Sequence, residues 1–411
     1  MTSNEKSIIL LTALSHAMVH TFELSIPIFI TIWIESFSVN KFIIGSVATI
    51  GYGLFGLGSI PSGIFSDRIG SRAMLIWALG GMSLAFVILS FSVGLYTITL
   101  GLILWGVAAS IHHPASLSLI SKHVDKRGEG FAYHGMAGNT GIAVGPFVAT
   151  VLLMFLSWRI VAFLLALPGL AATVVGLQLS VEENNGERQD EKQDLSAINS
   201  FSDFFDRSYS LILSAYGLIL IVVMCEGLYY RGILTFLPEL FSNMQQIPNF
   251  TLGFLSLETS RYIYSGMLMF GILGQYIGGR LSDIVNPRRG ATVLLCLLTL
   301  LAGLYIFVNS YSLPVIILLS LTLGITLFMI QPLYQSMIAD YTPEGYRGLA
   351  YGYSFFGIFG VGALGASLAG NLITFFTPAV LFAVLAGILL VAVFVLLYME
   401  VFIGDSTWDA D

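Results

Sequence analysis

The chain has 411 residues, of which 56% are hydrophobic and only 10% charged, with a mean hydropathy of +0.87 and a formal net charge of -7. That balance excludes a water-soluble globular domain, whose core could not hide so much apolar surface, and leaves lipid as the solvent for most of it. The small negative charge gives no footing for nucleic acid, and the two cysteines, Cys225 and Cys296, lie inside apolar runs and read as buried thiols rather than a disulfide.

In chain order, the polar residues 1–6 lead into an apolar segment longer than a signal-peptide core and without a small-residue cleavage site, which reads as a retained first span. A bilayer-crossing helix needs about 20 apolar residues. Runs of that kind lie near 8–34, 42–65, 73–93, 96–120, 131–155 and 159–180, and again near 209–240, 257–282, 291–309, 313–338, 348–374 and 377–403. Between the two sets of six, residues 181–207 are rich in Glu, Asp, Asn, Gln, Lys and Arg and read as a solvated linker. The expected fold class is therefore all-α integral membrane, with 12 transmembrane helices as two six-helix pseudo-symmetric bundles. Residues 1–180 form the first bundle, 181–207 a cytoplasmic linker, 208–404 the second bundle and 405–411 a short acidic tail. With both termini in the cytoplasm, most Lys and Arg fall on the inner side, among them Lys6, Arg68, Arg72, Lys122, Arg280, Arg288 and Arg347; Lys41, Arg159 and Arg261 stay outside. This positive-inside bias predicts a multi-pass cell-membrane protein with an even number of spans.

Two echoes support an internal duplication. Residues 63–72 read GIFSDRIGSR and residues 279–289 read GRLSDIVNPRR, each with Gly, a gap of three, Asp, and Arg a few positions on. Residues 114–133, PASLSLISKHVDKRGEGFAY, align without gaps on 332–351, PLYQSMIADYTPEGYRGLAY. Two echoes at nearly one offset indicate two copies of one half. Asp67 is expected near the start of the following helix, where a carboxylate is favoured. Arg68 and Arg72 would pair with it, or with helix ends from spans 5 and 11, and Gly63 and Gly70 would allow close backbone approach. Gly63, Asp67, Arg68, Gly70, Arg72, Gly279, Asp283 and Arg288 are thus candidate gating residues; a plain positive-inside turn accounts for the arginines but not for the repeated Asp.

The 63–72 loop resembles the signature between spans 2 and 3 of the major facilitator superfamily, with Ser71 in place of a usual basic residue and Arg72 retained. The span-5 run containing Gly138, Gly141, Gly145 and Pro146 is similar to the Gly-x-x-x-Gly-Pro element associated with exporting antiporters of that superfamily, although Ala149 replaces a further Gly. Gly141, Gly145 and Pro146 are the expected helix-bending positions. A charged span-4 signature is absent, since residues 100–106 carry no charge. Residues 230–239, YRGILTFLPE, resemble span 7 of fosmidomycin-resistance-like exporters.

Polar residues within the spans carry the functional reading. His16, His20 and Glu23 follow i, i+4, i+7 spacing and share one face of span 1; the two imidazoles lie roughly 12 and 18 Å in from its start. His112, His113, His134 and Asn139 come from spans 4 and 5. The resemblance implies that spans 1, 4, 7 and 10 line a central cavity where such side chains meet. Three readings stand for the cluster: proton coupling or substrate binding at His20 and Glu23, a divalent metal site from the His-x-x-x-His spacing, or imidazoles bonded structurally between helices. For His112 and His113, just before Pro114, hydrogen bonding at a helix kink is an equal reading; His123 reads as solvated. Span 7 adds Glu226, Tyr230 and Arg231, with Gly227 and Gly232 suggesting a bendable helix, and span 10 adds Gln331 and Gln335. Glu226 and Arg231 are five apart, poorly stacked for an intrahelical pair.

No Gly-rich phosphate loop, catalytic spacing or selectivity-filter tract is present, so neither an enzyme, an ATP-driven pump nor a channel is expected. The expectation is a monomeric secondary active transporter in the lipid bilayer, without cofactor, moving a small-molecule substrate by alternating access. Protons are the expected coupling partner and export is favoured over uptake. An uptake symporter, a divalent-metal carrier and a transport-dead sensor are the alternatives.

Overall fold

The computed structural model describes residues 1–183, 201–252, 255–343 and 346–403, without the side chains of residues 63, 64, 67, 68, 201, 202, 252, 255 and 256. The acidic tail (405–411), most of the linker, and the side chains at Gly63, Asp67 and Arg68 of the candidate gate lie outside the described residues.

The first half comprises α1 (Ser3–Ser36), α2 (Lys41–Leu57), α3 (Ser59–Ile69), α4 (Ser71–Ser90), α5 (Leu95–Ser110), α6 (His112–His123), α7 (Arg127–Leu152) and α8 (Trp158–Gln178). The second comprises α9 (Phe201–Leu213), α10 (Ala215–Ser242), α11 (Thr259–Ile284), α12 (Pro287–Tyr305), α13 (Leu313–Tyr341), α14 (Arg347–Phe355), α15 (Leu364–Phe375) and α16 (Pro378–Phe402). A π-helical segment, Phe356–Val361, joins α14 to α15, and a short hairpin pairs Phe250–Leu252 with Leu255–Leu257. Among the described residues, 11 helical segments are long and apolar enough to cross a membrane. The remaining span, α11, has 26 residues, with Gln275 and several Tyr, Ser and Gly diluting its apolar stretch between Arg261 and Arg280.

The elements follow local chemistry. Thr2 and Glu5 form a capping box at the start of α1, and the free oxygen of Glu5 accepts from the Asp125 N–H (2.8 Å), tying that end to the loop after α6. Span 4 is divided into α5 and α6 at Ile111. Pro114 is the cause: it offers no N–H to Ser110, and its ring crowds that carbonyl. The break brings His112 and His113 into the first turn of α6. At the linker, residues 201–207 begin helix α9. The linker's first residues are held too: Asn4 and Glu182 exchange hydrogen bonds of 3.1 and 2.9 Å.

The repeated charged turns have a clear structural meaning. Gly70, at φ 96°, ends α3 in a backbone conformation open to glycine. Asp67 falls in the last turn of α3, not at the start of the next helix, and the exposed Asp283 sits likewise near the end of α11. A carboxylate caps the N-terminus of α4: Glu183 accepts from the N–H groups of Ser71 (2.9 Å) and Arg72 (2.7 Å). Arg72 donates to the carbonyls of Gly176, Leu177 and Leu179 at the end of α8, the sixth span, rather than to spans 5 and 11. Arg288, second residue of α12 as Arg72 is of α4, does the equivalent in the other half: it pairs with Glu400 and donates to Tyr341 Oη (2.9 Å) and the Met399 carbonyl on α16. Each arginine fastens span 3 to span 6 of its own repeat.

The halves meet along α2 and α15 and along α7 and α11. Direct bonds gather at the end of the bundle away from the chain termini, the far end. There Lys41 pairs with Glu239 (3.2 Å), the Phe42 N–H donates to Thr374 (3.0 Å), and hydroxyls of Ser46 and Ser367 (3.2 Å) and of Thr150 and Ser265 (3.2 Å) meet. Both cysteines are free, and Cys296 is exposed on the outer surface rather than buried.

Because Arg288 is 1% exposed, removing its side chain strands the Tyr341 and Met399 acceptors and leaves Glu400 without its buried partner. Arg288→Ala is expected to cost about 2–3 kcal/mol. It should lower the melting temperature in detergent by several degrees, while Arg280→Ala, on the exposed surface, leaves it unchanged.

Candidate functional site

Glu23 lies two-thirds of the way along α1, with no exposed surface, and its two oxygens face in opposite directions. Oε2 meets His20 Nδ1 at 2.7 Å within its own helix, and Oε1 meets the Arg231 guanidinium of α10 at 2.5 Å. The chain continues from His20 Nε2 to His16 Nε2 (3.1 Å) and from His16 Nδ1 to the His134 carbonyl on α7 (2.7 Å). One hydrogen-bonded line thus runs from the α7 backbone through three side chains of α1 to the second half. The i, i+4, i+7 stripe predicted from span 1 faces the interior of the bundle, not lipid.

The polarity of these bonds counts protons. A carbonyl only accepts, so His16 Nδ1 donates. Three bonds (to His134 O, between the histidines, and to Glu23) need three protons, whereas two neutral imidazoles and a carboxylate supply two. All three bonds can therefore exist together only when one further proton is bound, on an imidazole or on Glu23. Loss of that proton breaks or reverses one of the bonds.

Arg231 is 1% exposed and sits with its guanidinium 3.6 Å from the centre of the Tyr52 ring and 5.5 Å from that of Tyr230. Tyr52 donates to the Glu23 carbonyl (3.4 Å). Nε and Nη1 of Arg231 are buried without a hydrogen-bond partner, leaving donors available beside the ion pair.

Around His16 gather His112, His113 and His134. The His16 ring stacks on His134 at 4.0 Å between centroids and on His112 at 5.0 Å, and meets His113 edge-on at 5.3 Å. His112 Nδ1 is held by the hydroxyls of Ser15 (2.8 Å) and Ser116 (3.2 Å). His113 stacks on Phe355 at 4.9 Å, across the boundary between halves.

Glycine makes this density possible. A side chain at Gly138 would overlap the His16 ring, and side chains at Gly141 and Gly145 would strike Ala17 and Thr21 of α1. α7 runs unbroken through Gly141, Gly145 and Pro146. α10 is likewise continuous past Gly227 and Gly232, which give room to the Ile358 and Gly365 backbones.

Not every candidate joins the line. Glu226 is buried with Oε1 unpartnered, near the equally unpartnered hydroxyls of Tyr229 and Tyr334 by position on α10 and α13. Gln331 faces Gln275 (3.5 Å), Gln335 is exposed, and Asn139 is half-buried on α7. Tyr52, Ser15 and Ser116 escaped the sequence reading, since a Tyr or Ser within an apolar run carries no periodic signal; His112 was read there equally as a kink residue.

A family model described as Major Facilitator Superfamily matches residues 9–257 and 219–403. Among characterised sequences, the chain is 24% identical over 360 residues to the inner membrane transport protein YajR of Escherichia coli, covering 84% of this chain and 72% of that one. It is 25% identical over 218 residues to a probable 4-methylmuconolactone transporter of Cupriavidus pinatubonensis, covering 51% of this chain and 49% of that one. A shorter match, 27% over 119 residues and covering 28% of this chain and 25% of that one, is to the methylenomycin A resistance protein of Bacillus subtilis. Among solved structures, a bacterial homolog of the human lysosomal transporter Spinster superposes with a TM-score of 0.70 at 14% identity, covering 98% of this chain and 96% of that one. A peptide transporter POT in complex with sulfate superposes at 0.75 and 14%, covering 98% and 95%. At these identities the structural likeness establishes the fold.

The Glu23–Arg231 pair makes a stability prediction. Glu23→Ala leaves a buried cation unanswered and should cost about 3–5 kcal/mol, whereas the double change Glu23→Leu with Arg231→Met removes both charges and should recover most of the loss. Thermal unfolding of the wild type, Glu23→Leu, Arg231→Met and the double variant in detergent measures the coupling; additive losses would contradict it.

Proposed function

This chain belongs to the Major Facilitator Superfamily, and on that premise we propose a proton-coupled secondary transporter that carries a small organic acid past the Glu23–Arg231 pair. The single observation behind this reading is that Glu23 joins a hydrogen-bonded imidazole chain on one oxygen and the opposite half of the protein on the other. While ionised, Glu23 holds Arg231 and with it the two halves. A proton on Glu23 removes the charge that Arg231 answers, so the guanidinium turns its donors to another anion. A solute carboxylate suits that vacancy, because a guanidinium takes a carboxylate through two parallel N–H bonds. Glu23 and the solute carboxylate thus compete for one arginine, and the proton on Glu23 decides between them. His20 and His16 position Glu23 and link it toward α7.

Export is the favoured direction. It rests on the similarity of the Gly138–Pro146 run to exporter sequences, on the local resemblance of residues 230–239 to fosmidomycin-resistance-like exporters, and on a relative named for methylenomycin A resistance. The relative named as a 4-methylmuconolactone transporter is consistent with a small organic solute. The Lys and Arg distribution supports a cell-membrane location with both termini in the cytoplasm, and the two bundles, 1–180 and 208–404, act as the rocking units of a monomer. The paired anchors at Arg72 and Arg288 support those boundaries, since each closes its own half as a rigid body.

The test is efflux from cells and proteoliposomes across a panel of small carboxylic acids and antibiotics, under an imposed pH gradient. Glu23→Gln should lower gradient-driven movement of the active compound at least tenfold while the protein still inserts in the membrane. Arg231→Lys, which keeps the charge but loses the fork, should weaken solute binding. Full gradient-driven transport by Glu23→Gln would remove that carboxylate from the mechanism.

A further inference from the structure

The histidines beside the proton line have lone pairs that the line does not use. His112 Nε2, His113 Nε2 and His134 Nδ1 are each buried without a hydrogen-bond partner. Three orphaned nitrogens in one cluster are unusual, because buried polar atoms are nearly always satisfied. One ring nitrogen from each of His16, His112, His113 and His134 lies within 4.8 Å of the others. We propose that these four histidines form a binding site for a late first-row divalent transition cation, of which Zn2+ is the test ion.

The chemistry of the donors selects the ion class. All four are imidazoles, with no carboxylate or carbonyl in the set, which suits zinc, cobalt, nickel and copper and disfavours magnesium and calcium. Hydrogen bonds engage one nitrogen on each of two rings. The hydroxyls of Ser15 and Ser116 engage His112 Nδ1 and leave Nε2 for a cation, and the His134 carbonyl accepts from His16 Nδ1 and leaves His16 Nε2. Tetrahedral zinc with bonds of about 2.0–2.1 Å needs nitrogens about 3.4 Å apart, so the cluster must draw in by little more than 1 Å. His112 and His113 sit in the first turn of α6, beside the Ile111 break, where the backbone can adjust. His16 is the shared member: its Nε2 either accepts from His20 or binds the cation. The four come from α1, α6 and α7, so a bound ion would tie three helices of the first half.

This ligand set differs from the His16, His20, Glu23 spacing read in the sequence, and it holds whichever way solute moves. Binding is measured on the resting protein, so its failure leaves the transport proposal standing, and the reverse.

The experiment uses the purified full-length chain in detergent, stripped with chelator and titrated with Zn2+ and Co2+. One Zn2+ per chain is expected, unaffected by a large excess of Mg2+, with a raised melting temperature. Bound Co2+ should give the intense visible absorption of a four-coordinate site. His112→Gln and His134→Gln should each weaken Zn2+ binding at least tenfold, and His123→Gln, at the other end of α6, should not change it. Zinc accumulation inside proteoliposomes would make the ion a cargo, and retention without flux a resident; both support the site. Absence of stoichiometric binding, six-coordinate Co2+ spectra, or unchanged affinity in folded His112→Gln and His134→Gln proteins would overturn it.

Discussion

A carboxylate taken into a lipid-embedded core must be answered there by an opposite charge, or its desolvation outweighs what the fold can return. Glu23 is answered by Arg231, and the answer comes from the other half of the molecule. Neither half is electrostatically complete alone at mid-depth. Association of the bundles is thus tied to the charge on one side chain, whereas the seam along α2 and α15 is built of small residues and hydroxyls that part at low cost. The arginines of the repeated turns do a different job: Arg72 and Arg288 bind within their own halves, so each half keeps its shape while the junction changes.

The same economy explains the glycines of α7. Five imidazoles and a carboxylate fit around one stretch of α1 only because Gly138, Gly141 and Gly145 carry no side chain where α1 passes. A run that reads as a flexible point in sequence is, in this packing, a flat face on an unbroken helix. Pro114 contributes from the other direction by ending α5 early and turning His112 and His113 inward.

Much of this was legible from composition and period. Apolar runs of span length, the hydrophilic break and the doubled Gly-x-x-x-Asp turn led to the twelve-helix fold, and the i, i+4, i+7 stripe located His16, His20 and Glu23. What depends on three-dimensional register was not legible. The five-residue spacing of Glu226 and Arg231 argues against an intrahelical pair, but it does not name the actual partner, Glu23, 208 residues distant. The backbone of Asp67, expected near the start of the next helix, lies in the last turn of α3, and Glu183, beyond α8, accepts from the first N–H groups of α4. Helix ends shift by a turn without any change in hydropathy, and a turn is enough to exchange one carboxylate for another.

The central claim is that the Glu23–Arg231 bond joins the two halves at mid-depth and, with the bonds of the far end, keeps the gap there closed. Nitroxide labels at Ser36→Cys and Ser242→Cys, the last residues of α1 and α10, in a protein with Cys225 and Cys296 replaced, report that gap by electron–electron distance measurement. With Glu23 intact at alkaline pH, a single short distance is expected; acidification or Glu23→Gln should add a longer one. Identical distance distributions under all three conditions would contradict the claim.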